Sequence, residues 1–284
     1  MESDRRTFVK TMASMAVGAT GLARPGTARS IPVQDQLDRI GVQLYTVSRT
    51  MAEDFEGTLE RIASIGYDEV EFAGYFERTP VEVRSALEAA GMQAPSAHIN
   101  YAVLQDGWDR ILDDSLTIGH SYLICPSLPG EVRRSLDGYR RVTEVFNRAG
   151  EQARAAGIQF GYHNHTFEFE AIEGQVPYDL MIAETDPRFV TFQLDLFWIR
   201  SGGGDPLAYF ARHPGRFSSV HVKDMDGSPE QRMVDVGKGV IDFAAIFAQR
   251  ERAGIEHFFI EHDQPEDPLE SVRASYQYLA RLTF

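Results

Sequence analysis

Histidine and carboxylate side chains stand at or just beyond the ends of short apolar runs along this sequence. Together with one lysine, they are Glu71, His98, His163, His165, Asp195, His221, Lys223 and Glu261. Taken singly, a histidine in a strand is more often a hydrogen-bonded core residue, and a glutamate is more often an ion-pair partner. Because so many apolar runs end in the same way, the pattern favours one shared polar site.

Four of these positions form a combination that suits a metal ion: His163, Asp195, His221 and Glu261. Two imidazoles and two carboxylates suit manganese, cobalt, iron, magnesium or zinc, and carboxylates without thiolate favour manganese or another octahedral metal. The single cysteine, Cys125, lies in an apolar run, which indicates a buried structural thiol. One cysteine excludes an intramolecular disulfide and a cysteine-rich zinc site. The sequence therefore predicts a divalent-metal site with manganese as the preferred ion.

Three neighbouring features allow two interpretations each. The alternating run 166–170 is typical of a solvated loop or hairpin, or else its Glu168 contacts a substrate. Trp198 either forms an aromatic wall against a sugar ring or packs in the core. Lys223 either holds a substrate oxygen or forms a surface salt bridge with Asp224. We keep Glu168 and Trp198 as candidate substrate contacts and Lys223 as a candidate catalytic residue.

Apolar runs alternate with amphipathic stretches from residue 40 onward. Strands are expected at 40–45, 69–72, 94–98, 122–126, 158–163, 190–195, 218–222 and 258–261. Helices are expected at 55–65, 80–90, 108–118, 133–156, 178–184, 206–211, 243–253 and 268–282. Eight strands that alternate with eight helices predict a (β/α)8 TIM barrel.

The barrel explains why the polar residues fall where they do. Active sites of such barrels are built from the carboxyl ends of the strands, so the side chains named above converge at one end. A doubly wound open sheet is the rival fold, and it usually carries a glycine-rich phosphate loop after the first strand. Residues 43–47 contain no such loop. We expect a single barrel domain over 40–284, preceded by a lead-in at 29–39.

The first 28 residues have the features of an export signal. Residues 4–10 contain an arginine pair and resemble the twin-arginine signal, with Asp4 where serine or threonine usually stands. A weakly apolar stretch at 12–22 follows, too short to span a membrane, and small residues near Ala28 suit cleavage. A disordered cytosolic N-terminus is the alternative. We expect a periplasmic protein that is exported folded, with its metal already bound.

Seven short segments also carry a family resemblance. They are Gly66–Glu71, Ser96–His98, Gly161–His165, Leu194–Trp198, Val220–Asp224, Gly237–Phe243 and Ile260–Glu261. In this order, and on these predicted strands, the sequence resembles the xylose isomerase-like TIM-barrel family, whose members are described as sugar phosphate isomerases/epimerases. The resemblance extends over about 40–282.

The resemblance implies a ligand set. Members of that family bind a divalent metal through Glu, Asp, His and Glu from strands five to eight. Asp195, His221 and Glu261 match the last three places, and His163-Asn164-His165 stands where Glu-x-His is usual. Epimerases of the family use both metal-bound glutamates as bases on the two faces of the substrate. The histidine at the first place argues against that symmetric mechanism here.

The resemblance also implies roles in catalysis. The metal would polarise the carbonyl of a ketose or keto-sugar and favour an enediolate. Glu261 would be one base and His165 or His163 the opposite acid or base, since imidazole transfers protons near neutral pH. Lys223 would hold an oxyanion. The remaining two strand-end residues, Glu71 and His98, would orient hydroxyl groups from the far side.

Three functions follow from these expectations. The first is a metal-dependent sugar isomerase or epimerase. The second is a lyase or hydratase that acts on a 3-keto-glycoside, in which the same enediolate expels a β-substituent. The third, a non-catalytic sugar- or metal-binding protein, is disfavoured by the dense set of titratable strand ends. An endonuclease of the same barrel type is disfavoured by the acidic charge and by missing ligands for a multi-metal cluster.

The net charge and the expected location limit the classes of molecule that this protein can bind. The formal net charge of −14 argues against nucleic acid or an anionic membrane as a partner. A small carbohydrate is the expected substrate. Because sugar phosphates are mainly cytoplasmic, we expect a free sugar, keto-sugar or glycoside in the periplasm. The sequence leaves the oligomeric state open, a homo-oligomer included.

Overall fold

Short runs rich in aliphatic and aromatic residues form eight parallel strands that close into a barrel. The computed structural model describes residues 35–284. The barrel strands are β1 (Gly41–Gln43), β2 (Glu69–Phe72), β3 (Gln93–His98), β4 (Tyr122–Cys125), β5 (Gln159–His163), β6 (Val190–Asp195), β7 (Phe217–Val222) and β10 (His257–Ile260). Strand β10 pairs with β1 and completes the ring. The predicted (β/α)8 TIM barrel is confirmed.

Helices cover the outside of the barrel between successive strands. They are α1 (Ser48–Glu53), α2 (Phe55–Ile65), α3 (Pro80–Ala90), α4 (Trp108–Ile118), α5 (Leu136–Ala155), α6 (Pro177–Glu184), α7 (Leu196–Ser201), α8 (Pro206–Arg212), α9 (Phe243–Phe247), α10 (Arg250–Ala253) and α11 (Pro268–Leu279). Short 3-10 helices lie at Leu44–Val47, Tyr101–Leu104, Val132–Arg134 and Phe167–Phe169. A hairpin of β8 (Asp224–Met225) and β9 (Met233–Val234), which the sequence did not predict, follows β7.

Three predicted elements differ from the structure for local reasons. The first strand ends at Gln43 rather than at residue 45, because the Gln43 side chain accepts the backbone N–H of Tyr45 and starts a 3-10 helix. The predicted helix 133–156 begins at Leu136, because the Ser135 hydroxyl caps it by accepting the N–H of Gly138. The predicted helix 243–253 is two helices, α9 and α10, separated by residues 248–249.

Alternation along the strands decides which side chains enter the barrel. In β6, Phe192 points outward into the core, whereas Gln193 and Asp195 point into the lumen with their register partners His163 and His221. The helices bury the outward face: Phe146 of α5 packs 5.2 Å from the Phe160 ring centroid. The polar residues named in the sequence therefore share one interior rather than the surface.

Both ends of the described chain meet. Asp35 and Phe284 exchange two backbone hydrogen bonds of 2.9 and 3.0 Å, which tie the lead-in to the C-terminus. The predicted export signal at 1–28 and the first part of the lead-in lie outside the described residues. Within 35–284, no helix combines the length and the apolar character needed to cross a membrane.

The lumen is packed closely enough around Gly161 to give a stability prediction. A Cβ added at Gly161 would lie 2.7 Å from Ile124 Cδ1 and 2.9 Å from Thr191 Cγ2. Because overpacking typically costs about 1–3 kcal/mol, Gly161→Ala should lower the free energy of unfolding in urea by about that amount. Gly130→Ala is the control, since a Cβ there meets nothing within 4 Å. Equal stability of the two variants would contradict the packing argument.

Candidate metal and active site

The carboxyl ends of four neighbouring strands bring the predicted ligands together. Asp195 ends β6, His221 lies on β7, and Glu261 directly follows β10. These three offer ligand atoms that all lie within 4.8 Å of one another, and all three residues are buried. His163, at the end of β5, lies beside them, with its Nε2 atom 3.7 Å from Asp195 Oδ2.

The two carboxylate oxygens of Asp195 have different surroundings. Oδ1 accepts the backbone N–H groups of Phe197 and Trp198 at 2.9 and 2.8 Å, and so caps α7. Oδ2 is buried and receives no hydrogen bond, although Lys223 Nζ is 3.1 Å away. Burial raises the pKa of Asp195 to about 6 against the opposing effect of Lys223. One oxygen thus builds the fold, and the other faces the site with a free lone pair.

His221 lies between two carboxylates inside the barrel. Its Nδ1 is 2.6 Å from Glu261 Oε2, and its Nε2 is 2.5 Å from Glu71 Oε1. Burial opposes a charge on this ring, but Glu261 and Glu71 outweigh it and raise the pKa of His221 to about 10. A carboxylate on the far ring nitrogen is the usual way in which a metal-binding histidine is oriented.

Lys223 is a buried cation at the mouth of the barrel. Its Nζ donates to Asp263 Oδ1 at 2.7 Å and lies 2.7 Å from Glu261 Oε2. Burial lowers the pKa of Lys223, but the surrounding carboxylates outweigh burial, so the ammonium stays protonated. The alternative of a surface salt bridge with Asp224 is wrong, because the Asp224 carboxylate instead accepts backbone N–H groups, among them that of Gly237.

Three neutral imidazoles complete the charge pattern. Burial lowers the pKa values of His98 and His163, and it lowers that of His165 to about 3. The ring of His165 stacks on Phe167 with centroids 5.8 Å apart, and its centroid also lies 5.6 Å from that of Trp198. Its Nδ1 atom is buried without a hydrogen-bond partner. His165 is therefore an unprotonated imidazole that packs against two aromatic rings.

Glu168 is not in a solvated loop, and that expectation is wrong. The side chain is fully buried in the 3-10 helix Phe167–Phe169, where the Tyr162 hydroxyl donates to Oε1 and the backbone N–H of His165 donates to Oε2 at 2.8 Å. Burial raises the pKa of Glu168 to about 7. Since one of its oxygens holds the backbone of His165, Glu168 positions that residue.

Glu71 lies inside the barrel among polar side chains. It accepts hydrogen bonds from Gln43 Nε2 at 2.9 Å, Ser96 Oγ at 2.5 Å and Gln193 Nε2 at 2.8 Å. Burial opposes its charge, but His98, His221 and the Ser96 hydroxyl lower the pKa of Glu71 to about 2. The carboxylate is fully engaged by protein groups in this structure.

A cavity of about 390 Å³ opens above these residues. It is lined by Tyr45, Ala73, His98, Asn100, Pro126, Ser127, His163, His165, Lys223, Glu261, Asp263 and Gln264. Of the four predicted substrate contacts, His98 lines this cavity, whereas Glu71, Glu168 and Trp198 are not among its lining residues. Trp198 instead lies behind the lining, with Lys223 Nζ 5.6 Å from its ring centroid.

The sequence interpretation missed two residues of this site. Gln193 bridges four side chains in the lumen, and Asp263 accepts the Lys223 hydrogen bond at the cavity wall. Strand periodicity was the available signal for Gln193, because it stands two residues before Asp195 and so shares its face. Asp263 follows the last barrel strand in a loop, where periodicity gives no signal.

The donor set fits a divalent metal. Asp195 Oδ2 is a buried oxygen that receives no hydrogen bond and faces His221 Nδ1 at 3.9 Å, and Glu261 Oε2 lies beside the same nitrogen. Buried charges need compensation, and here the carboxylates outnumber the two cations. Oxygen and imidazole donors without thiolate are those of a borderline-hard ion. Asp195, His221 and Glu261 can therefore hold a divalent metal ion.

Several known proteins are similar to this chain in sequence or fold. An inosose dehydratase from Lacticaseibacillus casei is 21% identical over 263 residues, which cover 80% of this chain and 87% of that protein. A sugar phosphate isomerase/epimerase structure from Parabacteroides distasonis superposes with a TM-score of 0.77 and 26% identity, covering 91% of this chain and 99% of the other. A 3-keto-D-glucoside 4-epimerase from E. coli shares the fold, with a TM-score of 0.66 and 19% identity over 85% of this chain and 98% of that one.

The family itself is established by a broader match. The family model for the xylose isomerase-like TIM barrel matches residues 59–282, which is most of the chain. That match agrees with the closed eight-stranded barrel and with the polar residues at its carboxyl end. The chain belongs to the xylose isomerase-like TIM barrel family.

Proposed function

We propose that the protein is a metal-dependent enzyme that removes the proton beside the carbonyl group of a neutral keto-sugar or related keto-polyol and then expels a β-substituent. The observation that carries this proposal is the pairing of an unprotonated imidazole, His165, with a permanently charged ammonium, Lys223, in the lining of one cavity. Both lie against the ring of Trp198.

His165 is the proposed base. Its neutral form is ready to take a proton, and burial makes the resulting imidazolium costly unless negative charge forms nearby. Removal of the proton next to a carbonyl moves an electron pair toward the carbonyl oxygen and creates that charge. The imidazolium of His165 and the enediolate therefore stabilise each other inside the cavity, where charges interact more strongly than in water.

Lys223 is the proposed partner of the enediolate oxygen. It stays protonated, so it acts as a fixed positive charge and not as a base. Asp263, which accepts its hydrogen bond, is the more exposed partner, with a side chain 29% exposed compared with 6% for Glu261. Exchange of this hydrogen bond for one to the substrate oxygen is the rearrangement that substrate binding requires.

An elimination fits a site in which His165 is the single proposed base. The negative oxygen of the enediolate reforms the carbonyl group, the carbon–carbon double bond shifts to lie between the α and β carbons, and the bond from the β carbon to its oxygen breaks. The β-hydroxyl or β-alkoxyl group then leaves with the proton that His165 had taken from the α carbon. A single base suffices for this sequence. Glu261 is less suited as a second base, because its Oε2 atom lies against both Lys223 and His221, and these cations lower its pKa despite its burial. The inosose dehydratase relative supports an elimination of water.

A bound divalent metal would supply a Lewis acid that polarises the substrate carbonyl. Asp195, His221 and Glu261 would hold it, with His163 as the adjacent fourth candidate. Glu71 would keep the His221 ring in place from below. The donor set supports manganese among other borderline-hard ions.

The cavity charges support an unphosphorylated substrate. Lys223 is the one lysine or arginine among the described residues that line the cavity, and carboxylates already surround it. A phosphate group carries nearly two negative charges, and it would meet Glu261 and Asp263 with no lysine or arginine of the described lining free to pair with it. A neutral sugar meets no such repulsion.

A sugar isomerase or epimerase is the second candidate. The Parabacteroides distasonis isomerase/epimerase supports it, since that structure aligns over 99% of its length. An isomerase needs the same first proton transfer, and an epimerase needs a second acid on the opposite face of the substrate. The two candidates therefore differ in the fate of the enediolate and not in its formation.

Proton exchange tests the shared step. In deuterated water, the purified enzyme should exchange the proton next to the carbonyl of its keto-sugar or keto-glycoside substrate, as followed by proton NMR across a panel with and without phosphate groups. His165→Gln should slow this exchange by about 100- to 10,000-fold, the usual contribution of a positioned base. His213→Gln, at the end of α8 and outside the cavity, is the control.

The products separate the two candidates. Release of water or an aglycone with formation of an unsaturated ketone selects the lyase, whereas exchange with only a stereochemical or carbonyl shift selects the isomerase or epimerase. Undiminished exchange in His165→Gln would contradict the assignment of the base.

Metal binding has its own test. Asp195→Asn combined with Glu261→Gln should weaken Mn²⁺ binding, measured by calorimetry, by more than the roughly 10–100-fold that outer-shell changes cost. Asparagine keeps an oxygen for the cap of α7 but replaces the free oxygen with an amide. Asp205→Asn is the matched control, because Asp205 caps α8 in the same way at an exposed position. Unchanged Mn²⁺ affinity in the double variant would rule out these ligands.

Export is a separate part of the proposal, supported by residues 4–28 of the sequence. The conservative replacements Arg5→Lys and Arg6→Lys should retain the full-length protein in the cytoplasm, because the twin-arginine route reads both guanidinium groups. Fractionation and immunoblotting of the bacterium would report this, with Arg24→Lys as the control. Periplasmic protein of normal amount in the double variant would contradict the route.

A further inference from the structure

We propose that Gln193 is a positioning residue that selects the tautomers of His98 and His163. It thereby leaves the lone pair of His163 on Nε2, which faces Asp195, and that of His98 on Nδ1. Gln193 is fully buried on β6, and its side-chain amide contacts residues from four other strands. The inference concerns protons on two rings and does not depend on which reaction the enzyme catalyses.

The orientation of the Gln193 amide follows from its acidic neighbour. Nε2 lies 2.8 Å from Glu71 Oε2 and 3.1 Å from Ser219 Oγ. The Glu71 carboxylate also accepts hydrogen bonds from Gln43 and Ser96, so the amide presents its N–H group to this acceptor. A flipped amide would set two oxygens against each other at 2.8 Å. The carbonyl oxygen Oε1 therefore faces the two histidines.

An oxygen that faces two imidazoles fixes the position of their protons. Oε1 lies 3.1 Å from His163 Nδ1 and 2.9 Å from His98 Nε2. Each ring must donate through the nitrogen that faces Gln193, because an unprotonated nitrogen there would oppose the oxygen lone pair. His98 Nε2 also lies 3.3 Å from Glu71 Oε1, which favours a proton on the same nitrogen.

The consequence is set by the other nitrogen of each ring. In the neutral form of His163, the lone pair is then on Nε2, which lies 3.7 Å from Asp195 Oδ2, an oxygen that receives no hydrogen bond. That nitrogen is thereby ready to accept a hydrogen bond or to join the adjacent metal ligands. In His98, the lone pair is on Nδ1, and this ring lines the cavity. Gln193 thus links Glu71, across the barrel, to the position of the proton on the rings of His98 and His163.

A glutamine suits this position better than the residues that resemble it. Glutamate would put a second carboxylate 2.8 Å from Glu71, and only its protonated form would donate to Glu71 while accepting from the histidines. Methionine fills a similar volume but neither donates nor accepts strongly. These two replacements therefore separate the packing of the side chain from its hydrogen bonds.

Nitrogen NMR of the full-length, chelator-treated protein with ¹⁵N-labelled histidine measures the tautomers directly. In the unmodified protein, His163 should carry its proton on Nδ1 and His98 on Nε2. Gln193→Met should give mixed tautomers for both rings, and Gln193→Glu should restore the original ones in its protonated form. The opposite tautomers in the unmodified protein, or unchanged tautomers in Gln193→Met, would overturn the proposal.

A second measurement reports the effect on the site. Gln193→Met should weaken Zn²⁺ or Mn²⁺ binding by about 10–100-fold, as other changes behind metal ligands do. Gln43→Met is the matched control, because Gln43 also donates to Glu71, at 2.9 Å, but among the described residues it forms no hydrogen bond with a histidine. It should leave the tautomers unchanged and weaken metal binding less than Gln193→Met does. Equal loss in both variants would show a general effect of Glu71 and would contradict a specific role for Gln193.

This pair of measurements separates the present inference from the proposed function. If the unmodified protein binds no divalent metal, the proposed metal site fails while the tautomer result still decides the role of Gln193. If metal binds and the tautomers are the opposite ones, the role of Gln193 fails while the proposed function stands.

Discussion

The ionised carboxylate of Glu71, buried in the centre of the barrel, is the constraint on which the rest of the interior depends. A buried charge is tolerated only when hydrogen bonds and opposite charge replace its water. Glu71 obtains them from Gln43, Ser96, Gln193 and His221, which come from strands around the barrel. Every one of these donors is thereby held in one orientation. The removal of Glu71 would release all of them together.

Hydrogen bonds and ion pairs connect Glu71 to the residues at the mouth of the barrel. His221 is held by Glu71 at one nitrogen and offers the other to Glu261 and Asp195. Lys223 then gathers Asp195, Glu261 and Asp263 around its ammonium group. The interior therefore has two layers. The hydrogen-bonded residues around Glu71 support a second layer, in which the carboxylates around Lys223 carry more negative charge than the nearby cations neutralise. Such a layer suits a divalent cation and a neutral substrate.

The histidines divide between these two layers. His98 and His163 contact Gln193 and belong to the network, whereas His165 stands beyond the end of β5 and has aromatic neighbours. Glu168 secures the backbone of His165 from behind the cavity. A neutral ring that lines the cavity on a fixed backbone is suited to accept a proton from a bound molecule. Two histidines separated by one residue therefore have different surroundings and different proposed roles.

The sequence by itself determined the barrel, the bounds of α2 and α4, and the set of polar residues at the strand ends. It could do so because apolar periodicity and strand–helix alternation are local properties, and because parallel strands must end on the same side. It also pointed to the convergence of Asp195, His221 and Glu261, which follows from that topology.

Only the tertiary structure decided which of those residues face the cavity and which support it. Glu71 lies in the lumen network because His221 and Gln193 reach it from strands far away in the chain. Glu168 is buried because Tyr162 and the His165 backbone supply its hydrogen bonds, although its alternating run is typical of a solvated loop. Lys223 pairs with Asp263 rather than with its neighbour Asp224. Hydrogen-bond partners that are distant in sequence leave no local pattern, and for that reason the sequence could name the residues but not their roles.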